Sequence, residues 1–372
     1  MRQGDGEQAR HMMVLRPAVG KDLAALIRFV FEGQAGLTSL PADRGMLRER
    51  LAASRKAFSA KVSSPGDQKY LFVLEDSRTG RVVGCCGLRA AVGMTEPFYS
   101  YRVGTIVHAS KELGVHNAIP TLYLSNDYTG CTELTSLYLE PEFRRSQNGK
   151  LLSKSRLLFL AEFPKRFAPV VIAELRGVCD EEGRAPFWEG LGKLFFTLEF
   201  PRADYLSGGG SKAFIAELMP KYPLYVPLLK PPVRKTIGKP HRNTVPALKM
   251  LEREGFRFNN YVDIFDGGPT VEARLCDIRA VRESLRKKAR PTPGAGGGAP
   301  YLVSNTRLRD FRCCLACLTP EPGATQELPA ELCAALRVSA GDRIRMVPLE
   351  PPGKGRRQAR PTTSRKPLLP IE

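Results

Sequence analysis

The chain has no run of about eighteen apolar residues, the length that a membrane-crossing helix needs, so no helical membrane span is expected. Its first ten residues, Met1 to Arg10, are polar and lack an apolar core, so no secretory signal is read there. Histidine is scarce, with four in 372 residues, and tryptophan occurs once. The nine cysteines are odd in number and irregularly spaced, which does not resemble a disulfide framework and fits a reducing cytoplasm. Cys313, Cys314 and Cys317 contain a Cys-x-x-Cys spacing inside an apolar run. No histidine cluster or second such pair stands nearby to complete a metal site, so they read as buried structural thiols. No metal site is expected.

A hydrophobic fraction of 42% and a charged fraction of 26% suit an ordinary globular protein with a sizeable core. The net charge of +19 invites a nucleic-acid reading. Its distribution weakens that reading. Six of the cations lie beyond Gly353, at Lys354, Arg356, Arg357, Arg360, Arg365 and Lys366, in a proline-rich tail without aromatics for base stacking. Residues 350–372 therefore read as a basic disordered tail. The rest of the excess is spread along the chain, as an enzyme of anionic substrates would show. Nucleic acid is not the expected partner.

The segment 13–19 reads as a strand, and Leu23, Leu26, Ile27 and Val30 share one face of a following helix. Leu47 and Leu51 mark a second helix. "YLFVLED" and "RVVGCCGLRAAVG", joined by "DSRTG", predict a hairpin. "LTSLYLE" is a further strand, followed by the loop "PEFRRSQNGK", a helix over "LLSKSRLLFLAEF" and a buried strand at "VVIAELRG". "APFWEGLGKLFFTLEF" and "VPALKMLEREGFRFNNYVDIF" each read as helix, glycine stop and strand, with the glycine at the C-cap. They are either two related halves, about 13–200 and 201–289, or two instances of a common connection. "PTPGAGGGAP" reads as a linker over 290–299, and residues 300–349 as a small β-rich appendage to a catalytic region over 13–289.

From "LRPAVGKDL" through "LTSLYLEPEF" to its basic loop, the chain resembles the GNAT acyl-CoA N-acyltransferases, in which that loop cradles the coenzyme A pyrophosphate. The loop here, Arg144 to Lys150, keeps one glycine of the usual motif. Longer strings, among them "YRVGTIVHASKELGVHNAIPTLYLSNDYTG", "AELRGVCDEEGRAPFW" and "NYVDIFDGGPT", are similar to the arginine N-succinyltransferase family over about Met13 to Pro348. The resemblance implies an α+β, GNAT-like fold with a mixed sheet flanked by helices. It also implies succinyl transfer from succinyl-CoA to the α-amino group of L-arginine, the first step of the succinyltransferase route of arginine catabolism. Succinyl-CoA is then a co-substrate and no cofactor is needed. In that family a histidine ahead of a Pro-Ala-led helix is taken as proton donor, and "GKPHRNTVPA" makes His241 its counterpart. A leucine of the "TELTSLYL" strand contacts succinyl-CoA there, matched by Leu137. Arg145, Asn148, Gly149 and Lys150 are the loop residues expected at the coenzyme. A subunit of a heteromeric arginine/ornithine succinyltransferase remains the alternative, so a homo-oligomer or a heteromer with a paralogous chain is the expected assembly.

The chemistry suits these residues. An α-amino group titrates near pH 8, so part of it is a free nucleophile at pH 7. A thiolate is a fair leaving group that an imidazole donor assists. The oxyanion is expected to meet backbone N–H groups near Leu137, which requires a bulged or splayed strand. A glycine-containing loop at a helix start suits phosphate, with Lys150 and Lys154 either screening it or forming a solvated basic face. Glu217, Asp263 and Asp266 are the carboxylate candidates for the arginine guanidinium. His108 and His116 are structural or line the acceptor site.

Overall fold

A computed structural model describes residues 12–32, 40–41, 43–196 and 218–351. Glu217 and the tail beyond 351 lie outside the described residues. The described strands, numbered in chain order, form one 15-stranded sheet in the order β14-β11-β15-β12-β13-β1-β2-β3-β6-β7-β10-β9-β4-β5-β8, in which β8 is Leu224–Tyr225 and β10 is Pro269–Arg274. Strands β1 (Met13–Pro17), β2 (Lys69–Asp76), β3 (Val82–Arg89) and β6 (Thr132–Leu139) lead antiparallel toward β7 (Val170–Glu174). The β6–β7 pair is parallel. The hairpin expected at "DSRTG" is present: Asp76 Oδ1 accepts from the N–H of Arg78 at 2.9 Å, and Gly80 takes φ +69°.

Helices α1 (Leu23–Glu32) and α2 (Arg44–Ser59) cover one face over Leu71, Val73 and Cys85. Asp43 caps α2 by accepting from Met46 N–H at 2.8 Å. Helix α3 (Asn148–Glu162) lies beneath the opposite face and is buried almost all round. That explains its lack of a clean polar stripe. Its Phe159 packs edge-on against Phe58, Phe72 and Phe311, joining α2, β2 and the segment before β13 (Cys313–Leu318) in one core.

The C-terminal strands extend the same sheet, because β13 pairs with β1. Strand β11 (Leu285–Pro291) already belongs to this group through β14 (Thr325–Leu328) and β15 (Arg343–Pro348). The stretch 290–299 closes β11 and opens β12 (Ala299–Asn305). Cys313 and Cys314 are buried, and burial pushes the Cys313 thiol up to about 12 and the Cys314 thiol well above its ordinary value, a poor setting for a metal thiolate. Cys317, expected to be buried beside them, is exposed.

Two local expectations need correction. Gly255 does stop helix α4 (Val245–Arg253), at φ +103°, ahead of β9 (Arg257–Val262). Gly192 does not stop a helix. It ends a π-turn over Trp188–Gly192 that runs on as helix to Phe196, and a Cβ there would meet the Trp188 ring at 2.2 Å. Close packing explains that glycine. The long hairpin of β4 (Ser100–Ser110) and β5 (Val115–Ser125) has no expected counterpart among the strands read from the sequence.

Candidate active site

Strands β6 and β7 pair only at Thr132↔Val171 and Glu133↔Ile172. Beyond Glu133 they part, so β6 from Leu134 onward has no strand partner on that side. The register between β3 and β6 slips between Cys85 and Gly87, and Ser136 takes φ +56°. This is a β-bulge, which re-aims the residues after it. Glycines in "VVGCCGL" make room for it: a Cβ on Gly84 would meet the Tyr138 carbonyl at 2.7 Å. From below, Arg156 of α3 donates to the Thr135 carbonyl at 3.2 Å and holds the bulge in place. Leu137, one residue past the bulge, is 37% exposed in a strand otherwise mostly buried.

The loop that follows reverses through two left-handed residues, Ser146 (φ 50°) and Gln147 (φ 64°), and enters α3 at Asn148. Asn148 is buried, and its amide donates to the Phe143 carbonyl at 3.1 Å, so its side chain shapes the loop. A Cβ on Gly149 would meet nothing within 4 Å, so the start of α3 borders open space there. Arg145 is exposed. Lys150 pairs with Glu350 at 2.8 Å. Lys154 does not join a basic surface: it is 1% exposed, 3.0 Å from Glu254, and donates to the Leu349 carbonyl at 2.6 Å. Glu254 also takes Arg279 at 2.7 Å, so the buried lysine balances a buried carboxylate rather than a phosphate.

His241 sits on the other wall. The segment continuing β7, Leu175 to Gly177, bridges Pro240, and His241 N–H donates to the Arg176 carbonyl at 2.8 Å. The same segment is locked against the turn after β9. Asp266 Oδ2 accepts from Gly177 N–H at 2.7 Å and its Oδ1 from Gly268 N–H at 2.8 Å. The glycines are required by contact: a Cβ on Gly177 would lie 2.4 Å from the Asp266 carbonyl oxygen. Asp263 Oδ1 accepts from the N–H groups of Phe265 and Asp266, at 2.7 and 3.0 Å. Both aspartates thus organise the turn behind His241, Asp266 through both carboxylate oxygens and Asp263 through Oδ1.

The imidazole is 9% exposed, and its Nδ1 accepts from Asn243 N–H at 3.2 Å. A neutral ring with Nδ1 as acceptor carries its proton on Nε2. Burial first, then the Arg176 and Arg242 charges, lower its pKa from the ordinary value of 6.5, so the neutral ring predominates at pH 7. Thr244 stands at the N-cap of α4, but its hydroxyl donates to the His241 carbonyl at 2.9 Å and leaves the helix amides uncapped. Arg176 carried no role in the sequence reading, although "AELRG" holds it next to the strand end. His108 and His116 lie exposed on the β4–β5 hairpin, opposite Asn117 and Ala109.

Two walls therefore diverge from Glu133, one a bulged strand leading to a helix start, the other carrying a histidine with Nε2–H as its donor. Among the described residues no group of three metal-ligating side chains is present. The mixed sheet flanked by helices, with one parallel pair splayed apart, is the α+β arrangement that the acyltransferase resemblance implied. The family model for the arginine N-succinyltransferase beta subunit matches residues 13–280, and that for its C-terminal domain matches 286–348. The chain belongs to the arginine N-succinyltransferase family. It is 49% identical over 341 residues to the arginine N-succinyltransferase of Escherichia coli (strain 55989 / EAEC), covering 91% of this chain and 98% of that one. The Enterobacter sp. (strain 638) protein of the same name is 49% identical over 344 residues, 92% and 99% of the two chains. The solved arginine/ornithine succinyltransferase subunit AI from Pseudomonas aeruginosa superposes with a TM-score of 0.84 at 41% identity, covering 92% of this chain and all of that one.

Proposed function

We propose that this chain is an arginine N-succinyltransferase, moving the succinyl group of succinyl-CoA to the α-amino nitrogen of L-arginine. The observation that carries this reading is the 49% identity over nearly the whole length of relatives named for that activity. Succinyl-CoA lies with its diphosphate at the start of α3, over Gly149, Lys150 and Arg145, and its thioester beside Leu137. The free amine attacks the thioester carbonyl carbon, the oxyanion meets backbone N–H groups of β6 past the bulge, and the C–S bond breaks. The amine loses its proton to solvent, and His241 Nε2–H hydrogen-bonds the departing thiolate. A thiolate of pKa ~8.5 needs no more than that to leave. Asp263 and Asp266 hold the turn behind His241, and Glu217 stays a candidate for the guanidinium.

The domain reading is a catalytic region over 13–289, with residues 300–349 as its β-rich extension. We place the protein in the cytoplasm, which the nine free cysteines support. Among the described residues no helix is long and apolar enough to cross a membrane. The active assembly is a homo-oligomer or a heteromer with a paralogous chain, a reading supported by the subunit named in the Pseudomonas structure. The deciding experiment is thiol release by the purified protein with succinyl-CoA or acetyl-CoA, against arginine, ornithine and lysine. Turnover fastest with succinyl-CoA and arginine is expected; a preference for acetyl-CoA or for ornithine overturns the assignment.

A further inference from the structure

At the closed end of the β6–β7 cleft, three adjacent strands carry charge in one cross-strand row: Lys69 of β2 opposite Arg89 of β3, and Arg89 opposite Glu133 of β6. Side chains opposite one another in neighbouring strands share a face. Glu133 is also the last β6 residue paired with β7, so the row ends where the walls part. Lys69 is answered by Asp67 at 3.8 Å and Arg89 by Glu133 at 3.4 Å. Above the row stands Arg50 of α2. Its Nε is buried with no hydrogen-bond partner, and among the described residues its guanidinium has no ion pair. Burial, then Arg89, lowers its pKa to about 10 against the opposing charges of Glu133 and Asp67, neither of which forms an ion pair with it, so it stays cationic at neutral pH.

A half-buried guanidinium whose Nε is buried without a partner is costly, and two cations side by side make it costlier. The group that answers it at least cost is a carboxylate, whose two oxygens match the guanidinium fork. Both substrates carry one. A thioester held at Leu137 stands four strand residues, ~13 Å, from Glu133, a gap that a four-carbon dicarboxylate arm and an arginine side chain reaching toward each other can span. The acceptor's α-carboxylate, bonded to the carbon next to the attacking nitrogen, is brought toward the same place.

We propose that Arg50, with Arg89 beside it, receives a substrate carboxylate at the closed end of the cleft. This rests on the succinyl-CoA and arginine reading and deepens it. The site selects substrates by charge: an analogue of the same length without the carboxylate leaves the cation unanswered.

The test compares wild type with Arg50→Met and Arg50→Lys on two pairs of substrates. Succinyl-CoA is set against butyryl-CoA, and arginine against agmatine, its decarboxylated form. Turnover is read as kcat/KM, or as an inhibition constant where an analogue does not react. If Arg50 holds the succinyl carboxylate, Arg50→Met loses about 10- to 100-fold with succinyl-CoA and little with butyryl-CoA, while the arginine-to-agmatine ratio stays. If it holds the acceptor carboxylate, the loss falls on arginine and spares agmatine. Arg50→Lys keeps the charge without the fork, so it shows the same pattern with a smaller loss, and it carries the test should Arg50→Met misfold. Equal losses on all four substrates, or none, overturn the proposal. Wild type inactive with succinyl-CoA and arginine would instead overturn the function on which it rests, before any variant is made.

Discussion

The two walls of the cleft are built on opposite principles. On the β6 side the ladder stops at Glu133, the strand bulges at Ser136 and Gly149 looks into open space. On the β7 side the backbone is tied at every step: His241 N–H to Arg176, Gly177 N–H to Asp266, and a bridge from Gly177 to Pro240. The open wall suits a ligand recognised through backbone groups, where an added side chain intrudes. The tied wall suits one side chain that must keep its place and its tautomer through the reaction. Glycine serves both walls for unlike reasons. Gly149 leaves space, and Gly177 has none to leave.

Removing the imidazole should break the tied wall's purpose without breaking the wall, because the contact to Arg176 is made by the His241 backbone. His241→Ala is expected to fold, to lose roughly 10²–10³-fold in kcat, as for one lost hydrogen-bond donor to developing charge, and to bind succinyl-CoA almost unchanged. A well-folded variant with near-normal kcat in the thiol-release assay would remove the histidine from the chemistry.

Gly177→Ala puts a methyl group 2.4 Å from the Asp266 carbonyl oxygen, where only backbone movement relieves it. A loss of about 1–3 kcal/mol is expected, read by denaturant unfolding, with kcat falling as His241 shifts. Unchanged stability would mean the wall is looser than its contacts imply.

Gly149→Val is the matching change on the open wall. It should leave the melting temperature nearly unchanged while raising KM for succinyl-CoA about tenfold, and KM for arginine less. Were only the arginine KM to move, the helix start would belong to the other substrate.

The smallest effect concerns pH. The folded His241 pKa is lowered, so the unfolded chain binds more protons in the window just below 6.5. Its contribution is therefore present above that pH and lost as pH falls through the folded value. His241→Gln should flatten this acid-side slope in melting temperature; an unchanged slope would assign it to other groups.

The hairpin at "DSRTG" was legible in the residues. The bulged or splayed strand was not: the oxyanion chemistry required one near Leu137 but no residue pattern shows it, and the bulge stands at Ser136 with the splay beginning after Glu133. Lys154 was not legible, because a lysine one helical turn from Lys150 reads as surface until the helix proves buried all round. Arg50 was missed for a similar reason. An arginine in "MLRERLAAS" is ordinary helix surface by pattern, and only the row from Lys69 to Glu133 beneath it gives it an address.

The order of strands and helices, the glycines at turns and the histidine ahead of a proline-led helix are local matters. Spacing and side-chain type express them, since hydrophobic period and backbone preference act within a few residues. Which charges are buried, and beside what, belongs to the tertiary structure. Lys154 meets Glu254 across 100 residues and Arg50 approaches Glu133 across 83, on elements that touch only once the sheet is assembled. Desolvation and pairing, the terms that decide whether a charge is a solvated tip, a buried strut or a binding group, are set by neighbours that the order of residues does not bring together.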